Sequence, residues 1–214
     1  FTLFASPPEK DLDWNDKAVE GASRFLSRVW RLAEEIQPDY VNCGPCAAFD
    51  GSELTDTIKE IRRKEHEVVK KTKEDFETRF QFNTGIAAIM ELVNLMYNLK
   101  DELKGSDAGK KALSSALSSC LVVLSPVAPH ICEDLWQQLG NTGMLAQSDW
   151  PRYDENAMQR EMLTVVVQVS GKLRGKIEVP ADANQEEVQE MALAEENVAK
   201  HLEGKNIIKT IVVP

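Results

Sequence analysis

The chain is predicted to be mainly α, a bundle of about five helices followed by a small α+β domain of ββαβ order. Three observations lead there. Residues 79–99 place Ile86, Ile89, Met90, Val93 and Met96 at helical spacing, and Phe82, Leu92, Leu95 and Leu99 extend that surface around most of the helix. A helix apolar nearly all round belongs inside a bundle, touched on several sides. Other long stretches before residue 140 repeat apolar residues at the 3.6 period. After residue 143 the pattern changes to short β-branched runs with turn residues between them.

Residues 1–14 read as an extended connector, because Ser6-Pro7-Pro8 forbids a helix there. Asn15 or Asp16 then caps a helix to about Ile36, with Val19, Ala22, Phe25, Leu26, Val29, Trp30 and Leu32 inward. Arg24, Arg28 and Arg31 project from the flank of that stripe. Gly44-Pro45 and Asp50-Gly51 mark a loop over residues 37–51. The next helix, 54–80, has sparse apolar positions (Ile58, Ile61, Val68, Val69, Phe76, Phe80), so one narrow seam is expected to face the bundle. It is also the most basic segment, with Arg62-Arg63-Lys64 and Lys70-Lys71-Thr72-Lys73. Asn83 is the expected cap of the central helix, and Lys104-Gly105-Ser106 closes it. Asp107 caps a fourth helix, whose Ser114, Ser115, Ala116, Ser118 and Ser119 let neighbouring backbones approach. Pro129 suits the first turn of a fifth, ended by Gly140.

These five helices make a bundle over residues 15–142, with a linker over 143–160 and a second domain over 161–214. In the latter, residues 162–169 and 172–179 pair across a two-residue Ser170-Gly171 turn. Asn184 caps a helix to about Leu202, and residues 207–213 read as a third strand.

With 214 residues, 43% of them hydrophobic, the chain can bury a proper core. A net charge of -10 argues against generic nucleic-acid binding, which depends on cations neutralising phosphates, yet leaves room for local basic patches. No apolar run is long enough to span a bilayer and no signal peptide opens the chain. The first residue is Phe1 in an apolar stretch, as in a piece of a longer polypeptide. Four cysteines without a regular framework suit a reducing compartment.

Cys43-Gly44-Pro45-Cys46 is the sharpest local motif. A thioredoxin-like pair sits between a strand and a helix; this one follows a helix in a loop, and Asn42 stands where such enzymes usually carry Trp. Cys120, Cys132, His66 and His130 do not complete a zinc site by spacing, so no metal is expected. His130 has no nucleophile placed near it and reads as a helix-start residue; Glu34-Glu35 and Glu133-Asp134 read as solvated faces. No catalytic residue is expected. The basic elements differ. Lys172, Arg174 and Lys176 alternate on one strand and are expected to project from one face as a cationic comb for a phosphate backbone. Arg62 and Arg63, with Arg24 and Arg28, are expected to form a second patch.

Phe4-Ala-Ser-Pro-Pro-Glu9 with Trp14, Arg24-Phe-Leu-Ser-Arg-Val-Trp30, Phe82-Asn-Thr-Gly-Ile-Ala87 with Met90-Glu-Leu92, Pro126-Val-Ala-Pro-His130 with Leu135-Trp136, and Val167-Gln-Val-Ser-Gly-Lys-Leu-Arg-Gly-Lys176 follow one another in the chain. Together they resemble the C-terminal part of bacterial leucyl-tRNA synthetases, over essentially the whole sequence. Valyl, isoleucyl and methionyl synthetases share the bundle; the tail hairpin points to the leucyl family. The resemblance implies a class I, cytoplasmic, monomeric ligase that joins leucine to its tRNA with ATP and Mg. It also implies that the bundle is of the anticodon-binding type. The family's His-Ile-Gly-His and Lys-Met-Ser-Lys-Ser signatures are absent from this sequence, so no active site and no cofactor are expected in it. ATP and Mg would belong to the catalytic portion. The implied partners are leucine tRNA, gripped at its body and elbow, and the enzyme's own catalytic and editing domains. Family members also carry a Gly-Lys-Leu-like segment after the position of Pro214. The rival readings are a helical protein-interaction module and a thiol oxidoreductase.

Overall fold

The first long helix begins where a side chain can satisfy its free N–H groups: Asn15 accepts from the Ala18 N–H, and α2 runs Asp16–Ile36. The structure, a computed structural model, describes residues 1–159, 162–181, 183–203, 207 and 209–211. These divide into two units, Phe1–Met158 and Gln159–Pro214.

In the first unit one turn of helix, α1 (Thr2–Ala5), precedes α2 where an extended connector was expected. Leu3 and Phe4 pack against the core there, and the chain becomes extended at Ser6, before the two prolines. A 3-10 turn, Gln37–Asp39, holds Pro38, and a second, Gly51–Glu53, ends the loop. Then come α3 (Asp56–Glu77, capped by Thr55), α4 (Phe82–Leu103), α5 (Asp107–Leu124) and α6 (Pro129–Gln138). Gly140 follows α6 with φ 79°, as a glycine terminator should.

Two caps differ from expectation. Gln81 rather than Asn83 precedes α4, and Ser106, not Asp107, caps α5 by accepting from the Gly109 N–H at 3.0 Å. The most enclosed helix is also α5 and not α4. Every residue from Ala112 to Leu124 is buried, whereas Leu95 and Leu99 of α4 are half-buried and Glu91, Asn94 and Asn98 exposed. The cause is side-chain size, since the serines and alanines of α5 admit neighbours on every side. Nor is α3 a narrow seam: Glu65, His66, Thr72 and Asp75 are buried with its apolar residues.

The segment read as a linker packs on the bundle as far as Met158. Glu133, read as solvated, accepts from the Leu145 and Ala146 N–H groups at 3.2 and 3.4 Å, and Leu145 is buried. Trp150 donates its indole N–H to the Val69 carbonyl, and the Asp154 N–H donates to His66 Nδ1 at 3.0 Å. His66 therefore has to be neutral, and burial with the nearby Arg62 lowers its pKa to about 4. The unfolded chain takes up this proton near pH 6.5 while the folded chain resists it. Stability is thus fully present above pH 6.5 and lost as the pH falls towards 4. The melting temperature of the chain should fall over that window, and His66→Leu should flatten the fall.

The second unit is a hairpin, β1 (Met162–Val169) and β2 (Lys172–Pro180), with α7 (Gln185–Ala194) and α8 (Glu196–Leu202). Ser170 and Gly171 have φ of 52° and 76°, the left-handed pair that a two-residue turn requires. Ile177, Val179 and Val188 form the core. The single expected helix is broken at Glu195, which is extended and caps α8 with its own carboxylate. Residues 207 and 209–211 of the expected third strand are not in a strand, and 208, 212 and 213 lie outside the described residues.

Candidate nucleic-acid interface

The hairpin does not carry a one-sided comb. Val167 pairs with Gly175, but Gln168 pairs with Leu173, so Arg174 is the extra residue of a β-bulge. Directly paired residues share a face. Lys176 lies opposite Val166 and Lys172 opposite Val169, three residues further along β1, which puts the two lysines on opposite faces. The bulge also turns Leu173 away from the core face of Ile177 and Val179, and it is 56% exposed. Arg174 is half-buried, and its carbonyl accepts from Asn197 Nδ2. The bulge has a packing cause. A Cβ on Gly175 would stand 2.7 Å from Glu195 Oε2 and 3.2 Å from Val198 Cγ2, so β2 is pressed against the start of α8 there.

The second expected patch divides as well. On α2, Arg24 is exposed and Arg28 lies with its guanidinium carbon 5.0 Å from the centre of the Tyr97 ring of α4. Tyr97 in turn donates its hydroxyl to the Arg28 carbonyl at 2.8 Å. Arg62 stacks on Phe49 of the 40–54 loop at 4.9 Å, with Lys111 of α5 on the same ring, and Arg63 pairs with Glu67 at 3.8 Å. Arg28 is thus tied to α4, while Arg62 is tied to the loop lying on α5. Sequence reasoning passed over Lys17 and Tyr97. The intervals 17, 24, 28, 31 held the signal, since steps of seven, four and three keep one helix face.

Cys43 and Cys46 serve the loop. The N–H groups of Val41 and Ala47 donate to Ser114 and Ser115, that of Cys46 to Glu65 and Ser119, and Tyr40 shares a hydrogen bond with Ser118. Fully buried Glu65 accepts on one oxygen from Cys46 N, Ser115 Oγ and Ser119 Oγ at 2.9, 2.7 and 2.6 Å. Burial and the Glu65 charge raise the Cys43 thiol and push Cys46 up to about 12, the reverse of an activated redox pair. Cys120 and Cys132 are buried, and their thiols are raised too; His130 is exposed at the first turn of α6. Among the described residues, no three His, Cys, Asp or Glu side chains are grouped to hold a metal ion, and no helix is long and apolar enough to cross a membrane.

Residues 59–190 match the family described as the anticodon-binding domain of tRNA ligase. The chain belongs to that family. This chain is 49% identical over its whole length to a leucine–tRNA ligase of Oleidesulfovibrio alaskensis, and 44% identical to one of Lawsonia intracellularis. It covers 26% of either protein, about a quarter of these relatives. Its fold matches a crystal structure of a ternary complex of Agrobacterium radiobacter K84 agnB2 LeuRS, tRNA and LeuAMS, with TM-score 0.83 and 28% identity. The match covers 99% of this chain and 27% of that one.

Proposed function

We propose that this chain is the tRNA-binding C-terminal portion of a leucine–tRNA ligase, working in the cytoplasm and holding the tRNA body and elbow while chemistry proceeds elsewhere. The observation that supports this most directly is whole-chain similarity to leucine–tRNA ligases, joined to a fold found in a LeuRS–tRNA complex. The parent ligase would attach leucine to its tRNA with ATP and Mg in its catalytic domain, with an editing domain as a further part of the same enzyme. Of the seven cations expected at the RNA, Arg24, Arg28, Lys172, Arg174 and Lys176 form the proposed contacts. Arg62 and Arg63 are held by Phe49 and Glu67. Discrete cations on an acidic body suit a structured RNA recognised by shape and phosphates.

Fluorescence anisotropy of leucine tRNA and a non-cognate tRNA, titrated across a salt series, tests this. Binding should weaken steeply with salt. Replacing Lys172, Arg174 and Lys176 together by alanine should weaken it for either tRNA without lowering the melting temperature. Unchanged affinity with an unchanged salt slope would remove the hairpin from the interface.

A further inference from the structure

Two successive turns of α3 carry buried polar atoms that nothing yet satisfies. Arg62 Nε, Glu65 Oε2 and His66 Nε2 have no hydrogen-bond partner among the described residues. Glu65 and His66 are 0% and 2% exposed, so bulk solvent does not reach them. Positions 62, 65 and 66 stand three and four apart, which sets them on one face of the helix with Arg62 between the other two. Helical side chains lean towards the N-terminus, and Glu65 and His66 therefore lean back over the turn that carries Arg62. Burial dominates the pKa shifts of Glu65 and His66, and the Arg62 charge acts on both groups as well. A buried polar atom left without a partner is destabilising, so a group of three calls for a ligand.

What each atom can do narrows the choice. The Arg62 Nε–H can only donate. His66 Nδ1 accepts from the Asp154 N–H, so the proton of the neutral ring is on Nε2, which makes a second donor. Glu65 Oε1 already accepts from the Cys46 N–H and from the Ser115 and Ser119 hydroxyls. Its Oε2 keeps lone pairs whether or not the carboxyl is protonated. The ligand must accept twice and donate once. A metal cation would meet two N–H groups, and a halide would be set against the carboxyl oxygen. Water does both.

We propose that α3 holds one buried water at this place, which accepts from Arg62 Nε and His66 Nε2 and donates to Glu65 Oε2. Buried waters with three such partners are part of a fold and are costly to remove. Here the water joins two anchors. Glu65 seats the 40–54 loop through the Cys46 N–H, and His66 seats the 143–158 segment through the Asp154 N–H. Two irregular segments far apart in the sequence thus share one molecule, and each helps to hold the anchor of the other. The inference stands apart from the tRNA-binding reading.

Crystals of the 214-residue chain, one set native and one soaked in sodium bromide, give the first test. A single density peak should stand within about 2.7–3.2 Å of all three atoms, with no anomalous signal from bromide. An anomalous peak there would make the ligand an anion and overturn the water. Direct bonds among the three side chains, with no density between them, would overturn the site itself. In solution, a shared water makes the two anchors non-additive. Glu65→Gln sets an amide N–H2 where Oε2 stands and leaves the water three donors for two lone pairs, whereas His66→Leu removes one of those donors. Urea melts of the parent, both single variants and the double variant measure the coupling. The loss in the unfolding equilibrium constant caused by Glu65→Gln should be about threefold smaller once His66→Leu is present. The same loss in both backgrounds would mean that the anchors act independently, and would overturn the shared water.

Discussion

Glu65→Ala should lower the stability of the first unit by about 3–5 kcal/mol, since it leaves buried donors without their acceptor and opens a cavity. Ser115 and Ser119 would lose the carboxylate oxygen they share, and the Cys46 N–H would keep only Ser119 at 3.2 Å. In a chain of this size the melting temperature should fall by about 10 °C. Glu65→Gln keeps an acceptor oxygen in the same place and should cost about 1 kcal/mol. The two variants also separate by pH. Burial raises the Glu65 carboxyl above its ordinary value, so the folded chain keeps a proton that the unfolded chain has released. Its contribution is full below the unfolded pKa and declines as the pH rises through the folded value, the reverse of the His66 effect. Thermal melts of Glu65→Gln should lack that decline. A full decline in the glutamine variant would place its origin in another group.

Gly109→Ala should cost about 3 kcal/mol, although alanine is the better helix former. A Cβ at that position would stand 2.1 Å from the Leu103 carbonyl oxygen and 2.8 Å from its carbon. These are backbone atoms at the closing turn of α4, and no rotamer change relieves them. The start of α5 would have to leave the end of α4, and with it the Ser106 cap. Gly21 provides the control. It lies on the flank of α2 with nothing within 4 Å of its would-be Cβ, and Gly21→Ala should raise stability by about 0.5–1 kcal/mol. Urea melts of the two single variants should move in opposite directions. Equal shifts would mean that helix propensity, not the close approach, governs both sites.

What could be read from sequence was local. Asn15, Gly140 and the Ser170-Gly171 turn act through their own backbone and neighbours within a few residues, and each lies where expected. The five long helices follow from apolar periodicity in the same way. The misses depend on distant partners. Nothing near Glu65 announces that serines 50 and 54 residues later will donate to its carboxyl oxygen. The bulge at Arg174 follows from the pressure of Glu195 and Val198 on Gly175, so an alternating sequence read in isolation put three cations on one face. The segment 143–158 was read as a linker from its turn residues, and its anchors are a histidine on α3 and a glutamate on α6. For the candidate interface, the arginines of α2 were legible as charge. Their availability was not, because it depends on where every carboxylate of the fold ends up.

The loop between α2 and α3 behaves like a key cut to one lock. Its Val41, Ala47 and Cys46 N–H groups are met by the hydroxyls of Ser114, Ser115 and Ser119 on α5, and its Tyr40 hydroxyl by Ser118, two serines from each of two successive turns. Surface loops commonly accept extra residues, because closure entropy grows slowly with length. This one has a fixed count. One residue inserted between Val41 and Ala47 would set every later N–H out of step with its serine, and with Glu65 beneath. Length variation among relatives should therefore fall outside residues 40–47, however irregular the backbone there looks.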